Sequence, residues 1–203
     1  MFVKICGLTD AASIAAASRA DAVGFVFAPS PRRIAPLAAA HLAADLSAAV
    51  LTVAVFSRAS QAEIDAVCAD FRPDLVQVEP SAALVLPAGV GLLPVFHDHA
   101  SVLDELSEFA QRHPGARVVL EGAAVGGQGV CADGERAALA ARLPLRIIVA
   151  GGLKPDNVGR LIAAASPFGV DVSSGVESRR GVKSPEKIHR FIDAAHAAAR
   201  RAE

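Results

Sequence analysis

A chain of 203 residues, 53% of them hydrophobic, suits one globular domain over residues 1–203 that buries about 70% of its unfolded surface. No stretch approaches the ~20 uncharged apolar residues of a membrane span, and the N-terminus runs into a strand instead of a signal peptide, which reads as a cytoplasmic protein without membrane contact. A net charge of -1 with scattered basic residues excludes an electrostatic nucleic-acid surface, and Cys6, Cys68 and Cys131, lacking CxxC spacing, argue against a disulfide framework or a zinc site.

In chain order, β-branched or apolar runs stand at Phe2–Cys6, Ala22–Phe27, Leu51–Phe56, Leu75–Glu79, Gly91–Phe96, Arg117–Glu121, Arg146–Ala150 and Gly169–Ser173. Helical periodicity marks Asp10–Arg19, Pro36–Ser47, Ser60–Phe71, Ser101–Arg112, Gly134–Arg142, Pro155–Ala164 and Ser184–Ala199. The interval Pro80–Gly89 has room for at most a turn of helix. Buried parallel strands alternating with helices predict an α/β fold, a compact (β/α)8 TIM barrel. A doubly wound open sheet uses the same units, but eight repeats without a reversal favour closure.

In a barrel, chemistry sits at the C-terminal ends of the strands, and the period of two selects the inward side chains. Lys4 and Cys6 share a face of the first strand, with Cys6 at its open end. A neutral thiol needs help to act as a base, and Lys4, roughly 7 Å below, would supply on the order of a kcal/mol. The alternative for Cys6 is a small buried hydrophobe, as Cys68 and Cys131 are read. The loop Ala28–Arg33 is stiffened by Pro29 and Pro31 and carries either an arginine able to fork onto a carboxylate or a surface charge. Gln77 and Glu79 share a face at the end of the fourth strand. His97 and His99 have the spacing of a metal pair; with no third ligand in view they read as a polar loop. Glu121 shares the face of Val119 and is either a barrel-mouth acid or the start of a solvated loop.

Arg146–Gly152 and Gly169–Glu177 are strands that stop at small residues. Gly151, Gly152 and Gly175 leave consecutive amides open to an anion, beside the Ser173 and Ser174 hydroxyls. Ordinary βα turns look similar singly, but two in consecutive units fit a phosphate monoester, an arrangement that barrels build after their last two strands with a short extra helix. Asp171, on the face of Ser173, is placed to orient a substrate hydroxyl or to hold neighbouring amides.

Five motifs together resemble the phosphoribosylanthranilate isomerase family of tryptophan biosynthesis: K-I-C-G (Lys4–Gly7), G-F-V-F-A-P-S-P-R (Gly24–Arg32), V-A-V-F (Val53–Phe56), V-A-G-G-L-x-P-x-N-V (Val149–Val158) and Val170–Ile188 with its V-D-V-S-S-G-V-E-S and G-V-K-S-P-E-K-I. The resemblance runs the whole length in order. It implies a (β/α)8 barrel with a shortened fifth βα unit, no metal or organic cofactor, a phosphorylated small-molecule substrate, and a monomer or homodimer. It also implies an Amadori rearrangement of an N-substituted aminofuranose to a 1-deoxyketose, with Cys6 as general base, Arg32 on the anthranilate carboxylate, Gly151, Gly152, Ser173, Ser174 and Gly175 around the phosphate, and Asp171 and Lys4 at the mouth.

The chain departs from the family pattern at two strand ends. Where the family has L-L-D, then G-G-T-G and an aromatic loop, this chain has V-L-E and then Gly126-Gly127-Gln128-Gly129; where the family has Q-L-H-G, it has Gln77-Val78-Glu79-Pro80. Glu121 is therefore expected to serve as the acid in the aspartate's place, and Glu79 to lie near enough to raise the pair's apparent pKa. Two other functions stay compatible: a related barrel isomerase acting on another phosphorylated aminosugar, and a catalytically weakened barrel that binds phosphate ligands.

Overall fold

The computed structural model describes residues 1–81, 84–122 and 133–202. Its strands are β1 (Phe2–Cys6), β2 (Ala22–Val26), β3 (Leu51–Val55), β4 (Leu75–Val78), β5 (Gly91–His97), β6 (Arg117–Glu121), β7 (Arg146–Ala150) and β8 (Gly169–Val172), all parallel and closed into a barrel by the pairing of β8 with β1. Helices α1 (Ala11–Ala16), α2 (Pro36–Ala43), α3 (Gln61–Phe71), α4 (Val102–Arg112), α5 (Gly134–Ala140), α6 (Val158–Ala165) and α7 (Pro185–Ala202) follow every strand except β4. The unit without a helix among the described residues is thus the fourth, not the fifth.

Local chemistry sets the element ends. Ser60 and Glu63 form a reciprocal capping box at the start of α3, and Arg72, in the left-handed region at φ 52°, ends it. Helix α6 begins at Val158 instead of Pro155, because Asn157 accepts from the Lys154 amide and holds residues 154–157 as a turn. A one-turn 3₁₀ segment, Ser174–Val176, and an antiparallel pair, β9 (Glu177–Arg179) with β10 (Val182–Lys183), stand between β8 and α7. The sequence motifs foreshadow the short extra helix but not the hairpin.

The barrel interior is graded from apolar to polar. Phe2, Ala22, Val53, Leu93, Val95, Val119, Ile148 and Ala150 fill its middle. At the N-terminal pole the Arg117 guanidinium lies 5.6 Å from the centroid of Phe2, Arg146 lies 5.5 Å from that of Phe168, and the two rings stack. Two outer clusters pack the helices, one around Phe25, Phe71 and Phe191 and the other around Phe96, Leu106 and Ile147. Polar side chains collect at the C-terminal pole.

Candidate active site

At the β1/β8 seam Lys4 is fully buried and donates to Asp171 Oδ2 at 2.7 Å, while Asp171 Oδ1 is buried without a hydrogen-bond partner. Burial pulls the Lys4 ammonium down, but Asp171 and Cys6 outweigh it and hold its pKa above the ordinary value. Two expectations change here. Lys4 has no surface with which to meet a substrate, and Asp171 holds that ammonium, not a backbone amide.

Cys6 lies above this pair. Its thiol is pushed up, foremost by burial and further by Asp171, against the downward pull of Lys4 and Lys183. The expected net help of Lys4 towards the thiolate is therefore overridden by desolvation. Gly24 on β2 gives the sulfur its room: a Cβ there would come within 2.9 Å of Cys6 Sγ and 3.3 Å of Lys4 Nζ. Replacing Lys4 by methionine is expected to cost about 3–5 kcal/mol, because Asp171 would keep a buried charge without its cation. Urea unfolding measures this, and a loss below about 1 kcal/mol would show that the pair does not hold the seam.

Across the barrel, β6 presents Glu121, a mouth acid and not the start of a solvated loop. Burial raises its pKa most, with the Asp171 charge adding to the rise and His97 and Lys4 opposing it. His97 is the last residue of β5, directly beside Glu121 in register, and not part of a loop. Its Nε2 lies 3.4 Å from Glu79 Oε1 and its Nδ1 3.9 Å from Glu121 Oε2; that Nδ1 is buried and makes no hydrogen bond. The imidazole thus stands between the two glutamates expected to act on each other directly. His99 turns to Glu105 at 3.3 Å, so the two histidines do not converge.

The turns after β7 and β8 meet. Gly151 and Gly152 have φ of 91° and 58°, a conformation suited to glycine, and neither amide is used by the turn's own hydrogen bonds. A Cβ on Gly175 would overlap the carbonyl oxygen of Leu153, so only glycine lets the second turn press on the first. Ser173 and Ser174 are half-buried beside them. These are the features of an anion cradle at two adjoining strand ends.

Arg32 closes the site from the β2 side, and it is not a free surface charge. It is 8% exposed, and its Nε and Nη2 fork onto Glu177 at 2.5 and 3.1 Å. Glu177 also accepts from Lys183 Nζ at 3.1 Å, and Lys183 donates to the Ser173 carbonyl at 2.8 Å. Burial lowers the Lys183 pKa most, although Cys6 and Glu177 pull it up. Burial raises that of Glu177, but Arg32, Gly181 and Lys183 outweigh it and leave the carboxylate below its ordinary value.

Cys6, Glu121, Asp171 and Lys4 are thus brought to one pole by the inward faces of β1, β6 and β8, with Arg32 and the five turn residues at its edge. Residues 123–132, with Gly126–Gly129 and Cys131, lie outside the described residues. Sequence reasoning missed three groups. Period two from Leu93 through Val95 leads to His97, a signal that was present. Glu177 and Lys183 stood inside a recognised motif without a role, and Gly181, at φ 82°, marked the turn that pairs them.

A family model described as N-(5'phosphoribosyl)anthranilate (PRA) isomerase matches residues 3–194. The N-(5'-phosphoribosyl)anthranilate isomerase of Bordetella petrii is 42% identical over 208 residues, covering 95% of this chain and 93% of the relative. The crystal structure of TrpF from Jonesia denitrificans matches with a TM-score of 0.78 and 32% identity, covering 100% of both chains. A phosphoribosyl anthranilate isomerase in complex with reduced 1-(o-carboxyphenylamino)-1-deoxyribulose 5-phosphate matches with a TM-score of 0.78 and 28% identity, covering 97% of this chain and 99% of the other.

Proposed function

Since the chain belongs to the phosphoribosylanthranilate isomerase family, an isomerase of tryptophan biosynthesis, we propose that Cys6 and Glu121 divide the proton transfers of its Amadori rearrangement between them. Glu121 gives its proton to the furanose ring oxygen; the bond from C1 to that oxygen breaks, and the nitrogen lone pair closes a C1=N Schiff base. The Cys6 thiolate takes the C2 proton; the released electron pair forms the C1=C2 bond while the C1=N π pair returns to nitrogen, giving an enolamine. Protonation at C1 and loss of the 2-hydroxyl proton complete the 1-deoxyketose. Such acid and base groups contribute about 10²–10⁴-fold each. Gly151, Gly152, Ser173, Ser174 and Gly175 hold the phosphate, Arg32 takes the anthranilate carboxylate, and Lys4 and Asp171 fix the charge beneath Cys6. The reading is of one cytoplasmic barrel domain with its site complete in one chain, as a monomer or homodimer.

The observation that carries this reading is a buried thiol and a half-buried carboxyl on inward faces from different sides of one mouth, with the touching β7 and β8 turns at its edge. The test is loss of anthranilate-type fluorescence when purified protein meets phosphoribosylanthranilate generated in situ. Turnover supports the assignment. The altered ends of the fourth and sixth strands, Glu79 and Glu121, are the observation that favours the rival, an isomerase of another aminoribose phosphate, and that compound turning over instead would establish it. Tight binding of the reduced product analogue without any turnover would mark a barrel that only binds.

A further inference from the structure

We propose that Glu177 is a positioning residue for specificity: it grips one edge of the Arg32 guanidinium so that the opposite edge faces the substrate's carboxylate at a set distance from the phosphate turn. The proposal rests on the function given above for Arg32. A guanidinium has five N–H donors arranged along two usable edges. Glu177 occupies the side edge, through Nε and Nη2. No other acceptor meets the Arg32 guanidinium among the described residues, so both protons of Nη1 and the second of Nη2 form an unfilled fork.

The grip is itself anchored. Glu177 Oε2 accepts from the Gly181 amide at 3.1 Å, its backbone carbonyl accepts from Lys187 Nζ at 2.6 Å, and its Oε1 accepts from Lys183 at 3.1 Å. Lys183 continues to the Ser173 carbonyl and, at 3.3 Å, to its hydroxyl. A chain of charge-assisted hydrogen bonds therefore joins the guanidinium to the second phosphate turn. The stem of Arg32 runs alongside: a Cβ on Gly7 would meet Arg32 Cδ at 2.7 Å and Ser173 Oγ at 3.2 Å. Two cations share one carboxylate here, which leaves an excess positive charge for a substrate anionic at both ends. A buried pair of this kind gives little stability for its cost, whereas a fixed spacing between two anion sites selects ligands that carry both anions.

The test compares binding of reduced 1-(2-carboxyphenylamino)-1-deoxyribulose 5-phosphate with that of its phenylamino counterpart lacking the carboxyl, by calorimetry, in wild type, Glu177→Gln and Arg32→Gln. The glutamine turns an N–H₂ towards the guanidinium and breaks the grip. Wild type is expected to prefer the carboxylated ligand, and Glu177→Gln to lose about tenfold or more of that preference while the uncarboxylated ligand binds within about twofold of wild type. KM should rise by a similar factor with kcat within about threefold, a split that general loosening of the mouth would not give. Full preference in Glu177→Gln together with loss in Arg32→Gln overturns the role of Glu177 alone; preference kept in both, or absent from wild type, overturns the carboxylate role of Arg32. Should Glu177→Gln fail to fold, Glu177→Asp keeps a charge for Lys183 while withdrawing the carboxylate by one methylene, and its full preference would equally overturn the proposal.

Discussion

Replacing Glu121 by glutamine is expected to lower kcat by about 10²–10⁴-fold while affinity for the reduced product analogue stays within a few-fold of wild type. Glutamine keeps the shape and the hydrogen-bonding capacity but has no proton to give to a ring oxygen. Burial, the largest influence on this carboxyl, keeps part of it protonated at pH values where an exposed glutamate is ionised. The longer side chain makes a second variant informative. Glu121→Asp draws the carboxyl back by more than an ångström, and displacements of that size cost about 10²-fold. It should therefore fall between wild type and Glu121→Gln. A Glu121→Gln enzyme with unchanged kcat would remove Glu121 from the chemistry.

Cys6→Ser is expected to be as severe, for a different reason. The thiol is held above its ordinary pKa by burial, so in the free enzyme the acid loses its proton before the base does. The productive form, protonated Glu121 with Cys6 thiolate, is then a minority between the two pKa values, and each unit of separation reduces it tenfold. The kcat/KM profile should accordingly rise through the raised pKa of Glu121, stay flat, and fall through that of Cys6. Asp171, Lys4, Lys183 and His97 are the charged or titratable neighbours that set these limbs. A serine hydroxyl ionises far above any thiol, so Cys6→Ser should lose the alkaline limb and drop the plateau by at least about 10³-fold. A surviving alkaline limb in Cys6→Ser would assign it to another group, and a retained plateau would show that the base lies elsewhere. In the proposed mechanism the positive charge of the Schiff base favours the thiolate once the ring has opened.

The barrel was legible because its signals are local. Each strand is a short apolar run, inward parity follows from a period of two, and the predicted strand ends, unlike several helix ends, fall within a residue of the observed ones. Parity also sets Cys6 and Glu121 on inward faces, and the small residues that end two strands mark the glycine turns; the roles given to them came from the family resemblance. What was not legible is long-range pairing. Arg32 and Glu177 are 145 residues apart, and nothing near either one announces that the arginine already holds a carboxylate. Lys4 meets Asp171 across 167 residues, and burial, which sequence spacing does not report, overrides the help Lys4 gives the Cys6 thiolate. His97 was hidden for a different reason: the two polar residues after it, Asp98 and His99, look like a loop, and they outweighed the period of two that carries the strand to His97, beside Glu121 in register.

The joint between β1 and β8 gives the site a place in time as well as in space. The proposed base is on the first strand to be synthesised, and the second phosphate turn follows the last. They meet only when the ring shuts, along the register that sets Lys4 opposite Asp171, with α7 packing over α1 and β1 on the outside. Closing so long a span of chain is entropically costly and tends to come late. On the proposed assignments, a chain whose β8 has not yet paired with β1 keeps the thiol and the second phosphate turn on opposite edges of an open sheet. On those assignments, turnover waits for closure of the joint between β1 and β8.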